Sequence, residues 1–113
     1  MFKNEMVIFT RTYDLLTWLV PITDNFPRTK RHTVTKRLLD AAFDLREHLE
    51  IANLRRGPYR RQSLQSADEA LAKLRLYLRL AAQWGWLSTR QHGHVAEMLS
   101  EVGRLLGGWK KTS

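Results

Sequence analysis

The sequence lacks cysteine, which excludes disulfide bonds, thiolate metal sites and a thiol nucleophile. Only three prolines and six glycines occur in 113 residues, and there is no Gly/Ser-rich linker, repeat or low-complexity tract. No apolar run is long enough to cross a membrane, and the first five residues (MFKNE) lack the hydrophobic segment of a signal peptide. We therefore expect one domain over residues 1–113, located in the cytoplasm and not associated with a membrane.

The few prolines and glycines separate four stretches with helical periodicity. Apolar residues recur at three- and four-residue spacing in each stretch, and none alternates apolar and polar residues as a strand would. The stretches cover about residues 4–23, 28–56, 64–85 and 88–108. The third is the clearest, because Leu71, Leu74 and Leu78 lie on one continuous seam. Four long helices with short connections predict an all-α fold, an antiparallel up-down-up-down four-helix bundle.

Short motifs predict where these helices begin and end. Residues 66–69 (SADE) form a capping-box pattern that would begin the third helix, although this helix could also begin near Pro58. Residues 88–91 (STRQ) form a second capping-box pattern, and the pair Gly107 and Gly108 is expected to end the fourth helix. Pro21 falls in the last turn of the first helix, where a proline kinks or ends it.

The first and third helices carry a second apolar stripe beside the one that a four-helix core needs. These second stripes consist of Tyr77, Leu80 and Trp84 on the third helix and Phe9, Tyr13, Leu16 and Val20 on the first. An apolar face that the core does not use predicts burial against a second subunit, so we expect a homo-oligomer. The alternative is that the broad faces belong to a small core that uses them fully.

Positive charge is in large excess. Nineteen Lys and Arg against eleven Asp and Glu give a net charge of +8, and thirteen of the basic residues are Arg. Residues 28–57 carry +4 and residues 58–87 carry +3, so the middle of the chain holds most of the excess. Because a guanidinium group matches the geometry of phosphate, this balance favours a polyanionic partner, first of all RNA or DNA. The alternatives are a solvated basic surface and an acidic protein partner.

The basic residues form three candidate nucleic-acid-binding groups. One group surrounds the predicted turn at Gly57 and Pro58, and another begins the second helix, where cations oppose the helix macrodipole. The third is a pair four residues apart on the third helix, beside its apolar seam, where two guanidinium groups can reach one phosphate backbone. The three groups are Arg55, Arg56, Arg60 and Arg61; Lys30, Arg31, Lys36 and Arg37; and Arg75 and Arg79.

Motifs for catalysis are missing. The sequence has no Gly-rich phosphate loop, no nucleophile elbow and no zinc-ligand spacing. His92 and His94 are two residues apart and would point in different directions on a helix, and His48 lies on an apolar stripe as a packed residue would. We therefore expect no enzyme activity, no cofactor and no metal site.

Several motifs along nearly the whole chain are characteristic of one family. They comprise residues 66–81 (SADEALAKLRLYLRLA), residues 101–109 (EVGRLLGGW), and near the start residues 13–16 (YDLL), 18–19 (WL), Pro21 and residues 26–28 (FPR). Together they resemble the Avd proteins, the accessory variability determinants of diversity-generating retroelements. By this resemblance, Arg75 and Arg79 occupy the two Arg positions of the family's Leu-Arg-x-x-Leu-Arg motif.

The resemblance implies a specific function. Avd proteins are four-helix bundles that assemble into a ring-shaped pentamer with a basic surface. They bind RNA or DNA, associate with the retroelement's reverse transcriptase and support mutagenic cDNA synthesis that diversifies a target gene, with no catalytic activity of their own. Two alternatives stay open: a four-helix-bundle protein of the type encoded in ribosomal RNA intervening sequences, and a protein-interaction bundle that docks an acidic partner.

Overall fold

The chain folds into four α-helices. The computed structural model describes residues 3–113, with side chains from Val7 onward, so Met1 and Phe2 of the N-terminal prediction lie outside the described residues. All regular structure in this range is helical, which confirms the all-α prediction. The helices are α1 (Lys3–Ile22), α2 (Lys36–Leu54), α3 (Gly57–Gln83) and α4 (Thr89–Thr112).

Neighbouring helices run antiparallel and close into a bundle 43 Å long. Helices α2 and α3 are joined by only two residues and pack along their lengths. Helix α4 runs antiparallel to α1, since Phe9 packs on Trp109 near one end and Trp18 packs on His94 near the other. Each helix therefore contacts its neighbours in chain order, and the first contacts the last.

The core lies where the predicted stripes meet. The α3 seam is buried along its whole length from Leu64 to Ala81, as its regular spacing predicts. Leu19, Leu45 and Leu106 meet it from the other three helices and are fully buried. None of the helices in residues 3–113 is long and apolar enough to span a membrane.

Glycine and proline set both ends of α3. Gly57 has φ of +58°, a backbone conformation that favours glycine, and Pro58 follows in the first turn, where its missing N–H is no loss. At the other end, Gly85 has φ of +79° and its N–H donates to the Ala82 carbonyl, while the Trp86 N–H donates to the Ala81 carbonyl. These two bonds form a Schellman cap. The start near Pro58 is confirmed, so the SADE motif lies inside α3 and does not cap it.

The second predicted helix does not run unbroken from residue 28. A 3₁₀ turn (Arg28–Lys30) and a π-helical turn (Arg31–Thr35) precede α2. Three consecutive β-branched residues, Thr33, Val34 and Thr35, disfavour regular α-helix, and the cations before them oppose the helix macrodipole. Regular helix begins only at Lys36.

The prediction for the end of α4 was wrong, whereas that for its start was right. Ser88 and Gln91 form the reciprocal capping box. The helix continues through Gly107 and Gly108 to Thr112. The reason is tertiary: Trp109 is buried against Phe9, and this packing outweighs the low helix propensity of two glycines.

Candidate nucleic-acid interface

Most of the predicted binding residues have no carboxylate partner. Among the ten candidates, Lys36 alone forms an ion pair within the described part of the chain, at 2.6 Å from Asp40. Other cations are neutralised, as Arg11 is by Glu101 at 2.9 Å and Lys110 by Asp68 at 3.1 Å. The hydrogen bond that Arg11 donates to the Glu101 carboxylate also raises the pKa of Arg11 above its ordinary value. The positive charge that remains available is therefore concentrated on the candidate groups.

The group at the α2–α3 turn is partly committed to the fold. Arg60 Nε lies 3.0 Å from the Ala52 carbonyl and 2.9 Å from the Arg55 carbonyl, and its guanidinium lies 6.0 Å from the Trp109 ring centroid. Arg55 donates to the Ser63 hydroxyl at 3.2 Å. Arg56 is exposed and makes no side-chain contact of this kind. This group both closes the turn and offers cations to solvent.

The group around the start of α2 lies at the opposite end of the bundle. Lys30 and Arg31 are exposed on the 3₁₀ and π-helical turns. Arg37, in the first turn of α2, lines a groove between α2 and α3 together with Tyr77 and Trp84. Arg37 thus lies beside the exposed ring of Trp84 and the partly buried ring of Tyr77.

The third group, Arg75 and Arg79, lines a groove between α3 and α4. The groove has a volume of about 230 Å³, and its lining residues include no carboxylate. Arg75 is half-buried, and its Nη2 donates to the Leu99 carbonyl of α4 at 3.2 Å, whereas Arg79 is exposed. Of the remaining lining residues, three are buried, one is partly buried and two are exposed: Leu78, Val95 and Leu99; His92; and Ala96 and Ser100.

Sequence reasoning missed the α4 side of this groove. His92, Ala96 and Ser100 are four residues apart and so share one helix face. That spacing is visible in the sequence, but nothing in it shows that this face lies beside Arg75, because the pairing depends on how α3 and α4 pack. His92 and Ser100 add an imidazole and a hydroxyl to two guanidinium groups, and all four can donate to an anion.

The three groups do not merge into one patch. The first lies at one end of the bundle, the second at the other, and the third beside the second on a different groove. Within residues 7–113 no cluster of three or more His, Asp and Glu residues could hold a metal ion. The groove at Arg75 and Arg79 is the best-defined candidate site, since it combines two unpaired cations with a concave surface, whereas the groove at Arg37 has one.

Comparisons with known proteins agree with this fold. A protein-family model described as bAvd-like matches residues 6–113. No curated protein sequence matches the chain. Among solved structures, a protein of unknown function from the S23 ribosomal protein family of Bacteroides thetaiotaomicron is similar, with a TM-score of 0.86 and 14% identity over 96% of this chain and 98% of that chain. At this identity the structural likeness shows the fold alone.

Proposed function

Because the chain belongs to the bAvd-like family, we propose that it is a cytoplasmic accessory protein of the Avd type. It binds RNA or DNA, associates with the reverse transcriptase of a diversity-generating retroelement, and thereby supports mutagenic cDNA synthesis. Its role is binding, not catalysis. The resemblance inferred from the residue motifs extends over nearly the whole chain, which is why the function is assigned at the level of the family.

The observation that carries this proposal is the set of cations that form no ion pair, although Arg55, Arg60, Arg61 and Arg75 donate hydrogen bonds to neutral groups. Folding usually places acidic residues near basic ones, and here nine of ten candidate cations form no ion pair in the described region. Such charges repel one another, and a polyanion relieves the repulsion while releasing its own counterions. Phosphate contacts of this kind give affinity and orientation without reading base sequence.

We further propose that the chain works as a ring-shaped homo-oligomer, a pentamer. Part of the second apolar stripes supports this proposal, since Tyr13 is 64% exposed and Trp84 is 48% exposed in the single chain. Other residues of these stripes pack on the core: Phe9, Leu16 and Tyr77. Large aromatic rings left in solvent are typical of surfaces that another protein covers. Light scattering tests this directly, and we expect five times the 13.3 kDa mass of one chain.

A binding experiment tests the nucleic-acid function. Fluorescence anisotropy with labelled single-stranded RNA and DNA at about 150 mM salt should show binding that heparin competes away. Arg75→Ala combined with Arg79→Ala should weaken binding of unrelated sequences about tenfold or more, because two phosphate contacts are lost. The double variant should keep its helical circular dichroism, which separates lost binding from lost folding.

The chain offers a control that matches the change in charge. Arg11→Ala combined with Arg104→Ala removes the same two positive charges, but both arginines lie near Glu101, at 2.9 and 3.9 Å. We expect a much smaller loss of affinity for this control. Absence of nucleic-acid binding by the wild type, or equal losses in both double variants, would overturn the proposal.

A second candidate function is that of the proteins encoded in ribosomal RNA intervening sequences. The likeness in fold to a protein of the S23 ribosomal protein family favours it. Co-purification decides between the two, because the Avd-type function requires a stable complex with the reverse transcriptase of a diversity-generating retroelement. A complex supports our proposal, and its absence with a folded polymerase supports the second candidate.

A further inference from the structure

Helix α4 has a glycine at the point where Arg75 crosses it. A Cβ atom built on Gly103 would lie 2.6 Å from Arg75 Nη2 and 3.6 Å from its Cζ, so a side chain at this position and the observed guanidinium exclude each other. Gly103 is in the interior of α4, where its φ is ordinary and no turn requires glycine. The absence of a side chain at Gly103 therefore matters chiefly for Arg75. A methyl group there would make only an ordinary contact with Leu71.

The absence of a side chain at Gly103 allows the Arg75 guanidinium to lie against α4. The guanidinium lies against the α4 backbone and gives one N–H to the Leu99 carbonyl at 3.2 Å. A guanidinium has five N–H donors, so four remain for another acceptor. With no carboxylate among the residues that line the groove, those donors have no anionic partner among residues 7–113.

We propose that the α3–α4 groove is a preformed site for one phosphodiester group, in which Gly103 is the positioning residue because it leaves the space where Arg75 lies against α4. This inference rests on the proposed nucleic-acid function and adds where and how a phosphate is held. A guanidinium fixed by a backbone carbonyl loses less conformational freedom on binding than an exposed one, so it contributes more to affinity. His92 and Ser100 complete the set of donors around the phosphate.

The test is a pair of matched glycine substitutions in α4. Gly103→Ala places a methyl group against the guanidinium, whereas Gly107→Ala meets nothing within 4 Å. Both substitutions keep the net charge and raise helix propensity equally. With a labelled single-stranded oligonucleotide, we expect Gly103→Ala to weaken binding about fivefold and Gly107→Ala to leave it unchanged.

A double-mutant cycle separates positioning from a general change in the fold. In a chain that already carries Arg75→Ala, the new methyl group of Gly103→Ala meets no guanidinium, so we expect no further loss of affinity. A merely structural effect of Gly103→Ala would persist in that background. Additive losses in the cycle would therefore overturn the positioning role.

Lysine substitutions keep the inference testable even if Gly103→Ala does not fold. Arg75→Lys retains the charge but loses the planar fork, so we expect about fivefold weaker binding. Arg79→Lys, at the exposed position, should cost less than about twofold. Equal effects of the two would contradict a preformed site.

Failure of this inference differs from failure of the proposed function. If the double variant of Arg75 and Arg79 loses binding but Gly103→Ala does not, the function stands and the positioning role is wrong. If the wild type binds no oligonucleotide, the proposed function itself is wrong.

Discussion

Two half-buried arginines, Arg46 and Arg75, each donate to a backbone carbonyl of another helix, but only Arg46 also pairs with a carboxylate. Arg46 Nη1 lies 3.0 Å from the Phe9 carbonyl of α1, and Arg75 Nη2 lies 3.2 Å from the Leu99 carbonyl of α4. Arg46 also binds Glu50 through Nε and Nη2 at 2.9 and 2.8 Å and lies 5.2 Å from the Phe9 ring centroid. Arg75 has no such carboxylate. Arg46 links α2 to α1, whereas Arg75 keeps N–H donors for a ligand.

The comparison teaches that burial and charge alone do not identify a binding arginine. What separates the two residues is whether an acid lies within reach of the guanidinium. For Arg46 this acid is Glu50, one turn further along its own helix α2, and the residue is neutralised. Around Arg75 the helix face offers Ala96, Ser100 and a glycine, which leave room for a ligand and no compensating charge.

Among the predicted changes in stability, we expect the largest from removing the contacts of Arg46. Arg46→Ala removes a carboxylate pair, a bond to a backbone carbonyl and a cation–π contact, so we expect the free energy of unfolding to fall by about 2 kcal/mol. Urea denaturation measures it. Arg79→Ala is the reference and should change stability by less than about 0.5 kcal/mol. Similar losses of unfolding free energy for Arg46→Ala and Arg79→Ala would contradict the structural role given to Arg46.

A carboxylate introduced into the groove should pair with Arg75 or Arg79 and so occupy their free N–H donors. Ala96 is an exposed residue of α4 and lines the groove together with Arg75 and Arg79 of α3. Ala96→Glu should weaken nucleic-acid affinity about tenfold, since a carboxylate would compete with phosphate for the guanidinium groups. Ala96→Gln has nearly the same size without charge and should have little effect. Equal affinities of the Glu and Gln variants would argue against the groove as the binding site.

A smaller effect is expected where a paired cation is released. Asp40→Asn frees Lys36 at the start of α2, and we expect about twofold tighter binding of an oligonucleotide. Asp44→Asn changes the net charge equally but frees no cation, because Asp44 forms no ion pair among residues 7–113. Anisotropy titrations should therefore rank Asp40→Asn above Asp44→Asn. The reverse order would remove the second group from the interface.

Much of the fold could be predicted from the sequence because it depends on local patterns. The α3 seam, the Ser88 capping box and the turn at Gly57 each follow from residue spacing or backbone preference, and the structure confirms them. The end of α4 could not be predicted in this way. There a distant contact between Phe9 and Trp109 decides the outcome.

For the same reason, only the α3 side of the candidate site could be predicted from the sequence. Arg75 and Arg79 stand out by charge and spacing on one helix. The roles of Leu99, His92 and Gly103 depend on the packing of α4 against α3, which no local pattern encodes. Likewise, charge counting could not show that Lys36 is paired and Arg60 is bound to carbonyl groups.

The salt dependence of oligonucleotide binding tests the central claim most directly. The slope of log affinity against log salt concentration counts the phosphates that the protein neutralises. For single-stranded nucleic acid, Arg75→Ala with Arg79→Ala should make this slope shallower by about 0.7, the value for one phosphate, while Arg11→Ala with Arg104→Ala should change it less. An unchanged slope and affinity in the folded Arg75 and Arg79 variant would contradict the account.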